Sequence, residues 1–146
     1  MNIEIKLATL EDIDSIYEIE VANIRCPLSK MLITDDFKRN NYIYVVAKDN
    51  EEVVGYITLS YILETADIIS VAVKDGYKGK NIFSQMLSFM ENILKEKNVE
   101  EIFLDVRESN SSAIKAYTKN NFKQISTRKN YYENPVENAI IMKKIL

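Results

Sequence analysis

Residues 42 to 94 leave few folds open to this chain. Tyr42 to Lys48, Val53 to Leu63 and Ala66 to Val73 are three runs rich in β-branched and aromatic residues, the first two parted only by the polar stretch Asp49-Asn50-Glu51-Glu52. That spacing predicts an antiparallel meander, because so short a turn joins only strands that run in opposite directions. Val71-Ala72-Val73 then leads through Lys74-Asp75-Gly76-Tyr77-Lys78-Gly79-Lys80 into a segment where Ile82, Phe83, Met86, Leu87, Met90, Ile93 and Leu94 recur at helical spacing. The stripe is the core face of a long helix, closed by Lys95-Glu96-Lys97-Asn98.

The flanks extend this pattern. Ile3, Ile5 and Leu7 alternate with Glu4 and Lys6, a half-buried first strand. Thr9 can cap a helix over Leu10 to Ile24, whose apolar positions are Ile13, Ile16, Tyr17, Val21 and Ile24 and whose first turn carries Glu11, Asp12 and Asp14. Arg25-Cys26-Pro27-Leu28-Ser29 breaks it, and Lys30 to Asn40 reads as a second, shorter helix. Gln124 to Tyr132 and Ala139 to Ile145 are two last strands joined by a loop from Glu133 to Asn138. The expected class is mixed α/β (α+β): three or four helices against a mostly antiparallel central sheet of about seven strands. With 146 residues the chain fits one domain over 1–146, long enough to bury roughly 70% of its unfolded surface.

Composition narrows the chemistry. A net charge of −3, from 19 basic and 22 acidic residues, argues against nucleic acid and leaves room for a small or cationic partner. There is no histidine, which excludes Ser-His and Cys-His nucleophilic catalysis. With one cysteine besides, neither a metal site nor an internal disulfide is expected, and Cys26 reads as a small, partly buried thiol. Proton transfer is left to carboxylates, Tyr, Lys or water. No run reaches membrane-spanning length and no basic segment leads into an apolar one near Met1, so the expectation is a cytoplasmic protein without a membrane partner.

Asp105 to Phe122 concentrates polar groups where a strand meets a helix. Ile102 to Val106 is apolar and β-rich, Arg107-Glu108-Ser109 is a polar loop, and either Asn110 or Ser111 can cap a short helix. Ala113, Ile114, Ala116 and Tyr117 form its apolar stripe, and Asn121 stands where a left-handed residue would stop it before Phe122 returns to the core. Core packing accounts for Ile114 and Phe122. It accounts less well for Asp105, Asn110 and Tyr117, an acid at a strand end and a polar set that can share one crevice.

This stretch resembles the coenzyme A end of the GCN5-related N-acetyltransferases, and more narrowly the ribosomal-protein-alanine N-acetyltransferases, whose pattern is acid-Val-Arg-x-Ser-Asn-x-x-Ala-Ile-x-x-Tyr, a helix stop and Phe. A second match is Arg128-Lys129-Asn130-Tyr131-Tyr132 with Glu137-Asn138-Ala139-Ile140-Ile141-Met142, which looks like the Arg-x-x-Tyr-Tyr and Glu-Asp-Ala-x-x-Met end of N-terminal acetyltransferases. The resemblance implies a single N-acetyltransferase domain with the acyl-CoA N-acyltransferase fold, using acetyl-CoA and releasing coenzyme A. It implies that Val71, Ala72 and Val73 offer backbone groups to the pantetheine arm and that Lys78, Gly79, Lys80, Asn81, Ile82, Phe83 and Ser84 wrap the pyrophosphate, with Asn110 also touching coenzyme A.

Two family glycine places fall on Asn81 and Phe83. Asn tolerates positive φ and can keep the turn, whereas Phe83 adds a large side chain that can instead point into the core.

The same resemblance places the general base at Asp105 and the general acid at Tyr117. The family member compared has Glu at that acid, so Asp105 reaches about 1.5 Å less, and a water can relay the proton. From its residues alone Asp105 can equally cap or pair with Arg107. Leu28, Tyr131 and Tyr132 fall on the acceptor side; at Leu28, where the family commonly has Trp, the residue type favours packing over ligand contact. The implied substrate is a protein N-terminal amine, an alanine of a small-subunit ribosomal protein. Glu64, Asp67, Glu108, Glu133 and Glu137 would suit a basic peptide or form solvated surface. The other readings are acetylation of a small amine or lysine, and a catalytically weakened coenzyme A binder.

Overall fold

A computed structural model describes all 146 residues. The strands are β1 (Ile3–Leu7), β2 (Tyr42–Asp49), β3 (Glu52–Ile62), β4 (Thr65–Val73), β5 (Glu101–Arg107), β6 (Lys123–Tyr132) and β7 (Glu137–Ile145); the helices are α1 (Ile13–Asn23), α2 (Lys30–Asp36), α3 (Ile82–Glu96) and α4 (Ser111–Lys119). They form one seven-stranded sheet in the order β1-β2-β3-β4-β5-β7-β6. Every neighbouring pair is antiparallel except β4 and β5, which α3 connects. A parallel pair needs such a crossover, and the long helix supplies it.

The meander forms because its strands are buried on both faces. Along β2, Ile43, Val45 and Ala47 enter one core while Tyr44 and Val46 enter another on the opposite side. The first core holds Met86, Leu87, Met90 and Leu94 of α3 with Leu104, Tyr117 and Phe122. The second holds Ile13, Ile16 and Ile19 of α1 with Ile33 of α2, Tyr56 and Ala72. Burying each large α3 side chain contributes about 1.5–3 kcal/mol, so tertiary packing rather than intrinsic propensity holds the helix.

Asparagines do much of the punctuation. Asn50 (φ 56) turns the β2–β3 hairpin, Asn81 (φ 64) starts α3, and Asn98 (φ 62) and Asn121 (φ 72) stop α3 and α4 in left-handed backbone. Past Asn121 the Phe122 amide returns to the Tyr117 carbonyl at 3.0 Å.

Several boundaries differ from expectation. A 3-10 turn over Leu10–Asp12 precedes α1, with the Thr9 amide donating to Asp12 Oδ2 at 2.9 Å, so the regular helix begins later than its acidic start implied. α2 ends at Asp36, and β7 begins at Glu137 rather than Ala139. Val21 is 50% exposed; the buried stripe of α1 runs instead through Ile19 and Glu20. Cys26 is exposed, against the expected partly buried thiol: it joins neither core, and the residue of its loop that turns inward is Leu28.

Candidate active site

β4 and β5 pair over only three residues, Thr65 with Glu101, Ala66 with Ile102 and Asp67 with Phe103. Beyond Asp67 the strands separate, while β4 remains bonded to β3 as far as Val73. Ile69 sits between the register positions Ile68 and Ser70 with no partner on β3, a bulge at the point of separation. The result is a cleft whose β4 edge has backbone groups without a strand partner.

The cleft has two lobes. The first, about 530 Å³, is lined by Val71, Ala72 and Val73 of β4, by Lys78, Gly79 and Asn81 to Ser84, and by α4. The second, about 560 Å³, lies between Ile68 to Val71 and Leu104 to Arg107 and is walled by Asn23 to Cys26 after α1. Asn23, Ile24, Val71, Asn110, Ala113 and Tyr117 line both.

The first lobe suits a phosphorylated group. Asn81 holds the left-handed N-cap of α3 without using its side chain as a cap, and no acid occupies the first turn. The amides of Ile82, Phe83 and Ser84 meet no acceptor in the protein, the first bond of the helix being Gln85 N–H to Asn81 O at 3.2 Å. Free amides and the positive end of a helix favour an anion. Gly76 (φ +91) and Gly79 (φ +76) carry the loop through backbone that other residues rarely adopt. Tyr77 pins it to the end of β2, its hydroxyl donating to Asp49 at 2.7 Å. Lys78 lies 3.0 Å from Asp75 and donates to Asn23 Oδ1 at 3.2 Å, whereas Lys80 is exposed and does not line the lobe. Phe83 is partly buried against the first core and meets Tyr117 edge-on, ring centres 5.4 Å apart. Its bulk is absorbed by packing without leaving the cleft wall.

Tyr117 stands where the lobes meet, 9% exposed and wedged between Phe83 and Phe122, yet its hydroxyl bonds to nothing in the protein. Burial, with a smaller effect of Tyr132, pushes it up to about 12, so it keeps its proton across the neutral range. Asn110 is the residue that caps α4, its side chain accepting the Ala113 amide at 3.3 Å. That leaves its amide group beside both lobes.

The second lobe is polar through side chains. Asp105 is exposed within it and pairs with no cation. Arg107 is engaged elsewhere: it donates to the carbonyls of Glu133 at 2.9 Å and Pro135 at 3.2 Å, sits 3.6 Å from Glu137 and stacks 4.4 Å over the Tyr132 ring. Ser109 donates to Glu137 at 3.0 Å, and that bond, with Arg107 adding to it, holds the Glu137 carboxyl below its ordinary range. Tyr132 lines the lobe; burial first, then the charge of Asp105, pushes it up to about 12. Tyr131 stacks edge-on against Tyr132 but faces outward, with Arg128 over its ring. Leu28 packs against the second core and does not line the lobe. Asp67, at the mouth of the separation, has an exposed surface but a partly covered carboxyl, raised above the usual range by that burial and by Asp105, with Arg128 opposing.

Glu20, Asn23 and Arg25 belong to no sequence motif, yet the structure places Asn23 and Arg25 in the cleft wall and Glu20 behind it. Glu20 is 1% exposed and accepts bonds from Tyr56, Ser70 and the Leu28 amide. It falls four residues after Ile16, on the apolar stripe of α1, and that misplaced acid is the signal that points to it. Arg25 spans to the Asn134 carbonyl at 3.3 Å, tying the loop after α1 to the β6–β7 turn.

The cleft thus joins a lobe suited to an anion with a second lobe lined by polar side chains, across an un-ionised phenol. The sequence matches the Acetyltransferase (GNAT) family over residues 8–122, and the chain belongs to that family. It is 31% identical over 134 residues to the [ribosomal protein bS18]-alanine N-acetyltransferase of Haemophilus influenzae, covering 90% of each chain, and 30% identical over 152 residues to an N-alpha-acetyltransferase of Saccharolobus solfataricus, covering 95% of this chain and 90% of that one. Its fold superposes on the ribosomal-protein-S18-alanine N-acetyltransferase of Escherichia coli with a TM-score of 0.89 at 24% identity, covering 99% and 94%. It superposes on the paia N-acetyltransferase of Thermoplasma acidophilum, solved in complex with coenzyme A, with a TM-score of 0.82 at 24% identity, covering all of both chains. The protein is an N-acetyltransferase.

Proposed function

We propose that the protein transfers acetyl from acetyl-CoA to the α-amine of a protein N-terminus, with an N-terminal alanine of a ribosomal protein as the acceptor. The observation that carries this reading is Tyr117, a buried, protonated phenol with a free hydroxyl at the junction of the two lobes. Relatives named for an alanine of ribosomal protein bS18 and for N-alpha-acetylation support the choice of acceptor.

The residues divide the work by position. The free amides of Ile82, Phe83 and Ser84, with Lys78 and Gly79 beside them, would hold the pyrophosphate of coenzyme A, and the unpaired β4 edge at Val71 to Val73 would hold the pantetheine arm. Acetyl-CoA supplies an acetyl group activated as a thioester. Asp105, with no cation of its own, accepts the proton of the entering α-ammonium directly or through one water; that group ionises near ~8, so its deprotonation is a modest task. Tyr117 releases its Oη proton to the leaving group, and Tyr132 walls the acceptor. Left-handed Asn81 and the open first turn of α3 favour a competent donor site over a weakened one.

The test is acetyl transfer, read by mass shift, to peptides beginning with Ala, compared with N-blocked Lys peptides and polyamines. Transfer to the Ala peptides is expected, falling about 10²-fold or more in Asp105→Ala. Transfer only to polyamines or lysine would move the assignment to those acceptors. Measurable coenzyme A binding without any transfer would leave a binding protein.

A further inference from the structure

Glu20 is a charged residue on the core face of α1, and a leucine there would complete the stripe without desolvating a carboxylate. What the acid adds is hydrogen-bond geometry. One oxygen, Oε1, accepts from the Tyr56 hydroxyl on β3 and from Ser70 Oγ on β4 at 2.6 Å; the other, Oε2, accepts from the Leu28 amide at 2.9 Å. Tyr56 and Ser70 lie 3.1 Å apart, closing the cluster. A carboxylate accepts at both oxygens, and here each is committed to a different wall of the acceptor lobe. Ser70 follows the bulged Ile69, and both line the lobe on the β4 side. Leu28 ends the loop whose residues Asn23 to Cys26 line it on the opposite side. Of the cluster's side chains only Ser70 reaches the cleft, and it lines the acceptor lobe and not the donor lobe.

We infer that Glu20 is a positioning residue that sets the spacing of the acceptor lobe by tying the loop after α1 to the bulge of β4. The inference rests on the proposed acceptor reading. It assigns Glu20 no proton transfer: the carboxylate is covered by its three donors and does not line the cleft.

Two substitutions separate geometry from charge. Glu20→Gln keeps a carbonyl for the Leu28 amide, and its NH₂ meets hydroxyls that can turn to accept, so the tether survives without the charge. Glu20→Leu fills the volume and removes every bond. In Glu20→Leu the KM for an Ala peptide should rise about tenfold while that for acetyl-CoA stays within about twofold. Hydrogen exchange at the Leu28 amide should quicken about tenfold or more. Glu20→Gln should stay within about threefold of wild type in all three measurements.

Ser70→Ala, which removes the bonds to Glu20 and Tyr56 and no volume of consequence but leaves the Leu28 tether, should raise the peptide KM by a smaller factor in the same direction. It carries the test should Glu20→Leu fail to fold. Equal losses in Gln and Leu would overturn the inference in favour of a charge-dependent role. So would an equal rise in both KM values, or faster exchange at Leu28 with an unchanged peptide KM. A wild-type enzyme that acetylates the Ala peptide while Glu20→Leu is indifferent removes this inference alone; a wild type that transfers nothing to the peptide removes it together with the acceptor assignment.

Discussion

The two lobes of the cleft are built from different materials. The donor lobe is mostly backbone: the free edge of β4, the unbonded amides that open α3, and a loop carried by two positive-φ glycines and a left-handed Asn81. The acceptor lobe is mostly side chains, Asp105, Tyr132 and the Arg107–Glu137 pair, held by bonds between distant segments. A backbone site depends on conformation and tolerates any residue that keeps it, which is how Asn81 and Phe83 can replace glycines. A side-chain site changes with each substitution, so differences in acceptor between members of one fold are expected to concentrate there.

Tyr117 belongs to both lobes, and removing its hydroxyl should have the largest effect. Tyr117→Phe keeps the ring between Phe83 and Phe122 and deletes only the hydroxyl proposed as the proton donor. Turnover is expected to fall about 10²- to 10⁴-fold, with acetyl-CoA affinity by calorimetry within about twofold. Unchanged turnover would take Tyr117 out of the chemistry and leave it a packed aromatic.

The donor lobe should respond to conformation and not to side-chain identity. Asn81→Val puts a β-branched residue at φ 64, which costs about 1–2 kcal/mol where the first turn must stay open. Coenzyme A affinity should fall about tenfold. Asn81→Gly should match wild type or exceed it slightly, because glycine adopts that backbone freely. A loss of affinity in Asn81→Gly equal to that in Asn81→Val would show that the Asn side chain itself binds, and would break the contrast between the lobes.

The same contrast explains what could be read from the sequence. The meander, the long helix and the Asp105 to Phe122 junction are short-range patterns, and each residue's role depends on neighbours within about a turn or a strand. Asn110 and Asn121 were legible for that reason, as was the conformation of Asn81. The acceptor lobe is stitched across long separations: Arg25 to Asn134, Arg107 to Glu133 and Pro135, Glu20 to Ser70. No local period encodes those bonds. Periodicity marks Glu20 as an acid on an apolar stripe but not which partners it meets, and the run Arg107-Glu108-Ser109 does not show that Arg107 turns to the β6–β7 loop and away from Asp105. Cysteines are usually buried, yet Cys26 joins neither core, because Leu28 and not Cys26 is the residue of that loop that turns inward.

The smallest effect, a spectroscopic one, tests whether the charge of Asp105 acts on Tyr132 without reaching the junction. The chain has nine tyrosines, and an unfolded one ionises near ~10. Tyr117 and Tyr132 are both pushed up to about 12, Tyr117 by burial and then by Tyr132, and Tyr132 by burial and then by Asp105. In a tyrosinate absorbance titration, Tyr117→Phe should therefore remove amplitude only above about pH 11. Asp105→Asn should bring the Tyr132 transition to lower pH and leave that of Tyr117 in place, since Asp105 does not act on it. The folded chain retains these protons where the unfolded chain has lost them, so their contribution to stability is complete below about pH 10 and disappears as pH rises through about 12. Urea midpoints measured across that window should fall less steeply in Tyr117→Phe than in wild type. Loss of amplitude near pH 10 in Tyr117→Phe would mean that the phenol is solvated and that its proton is not held by the packing of Phe83 and Phe122.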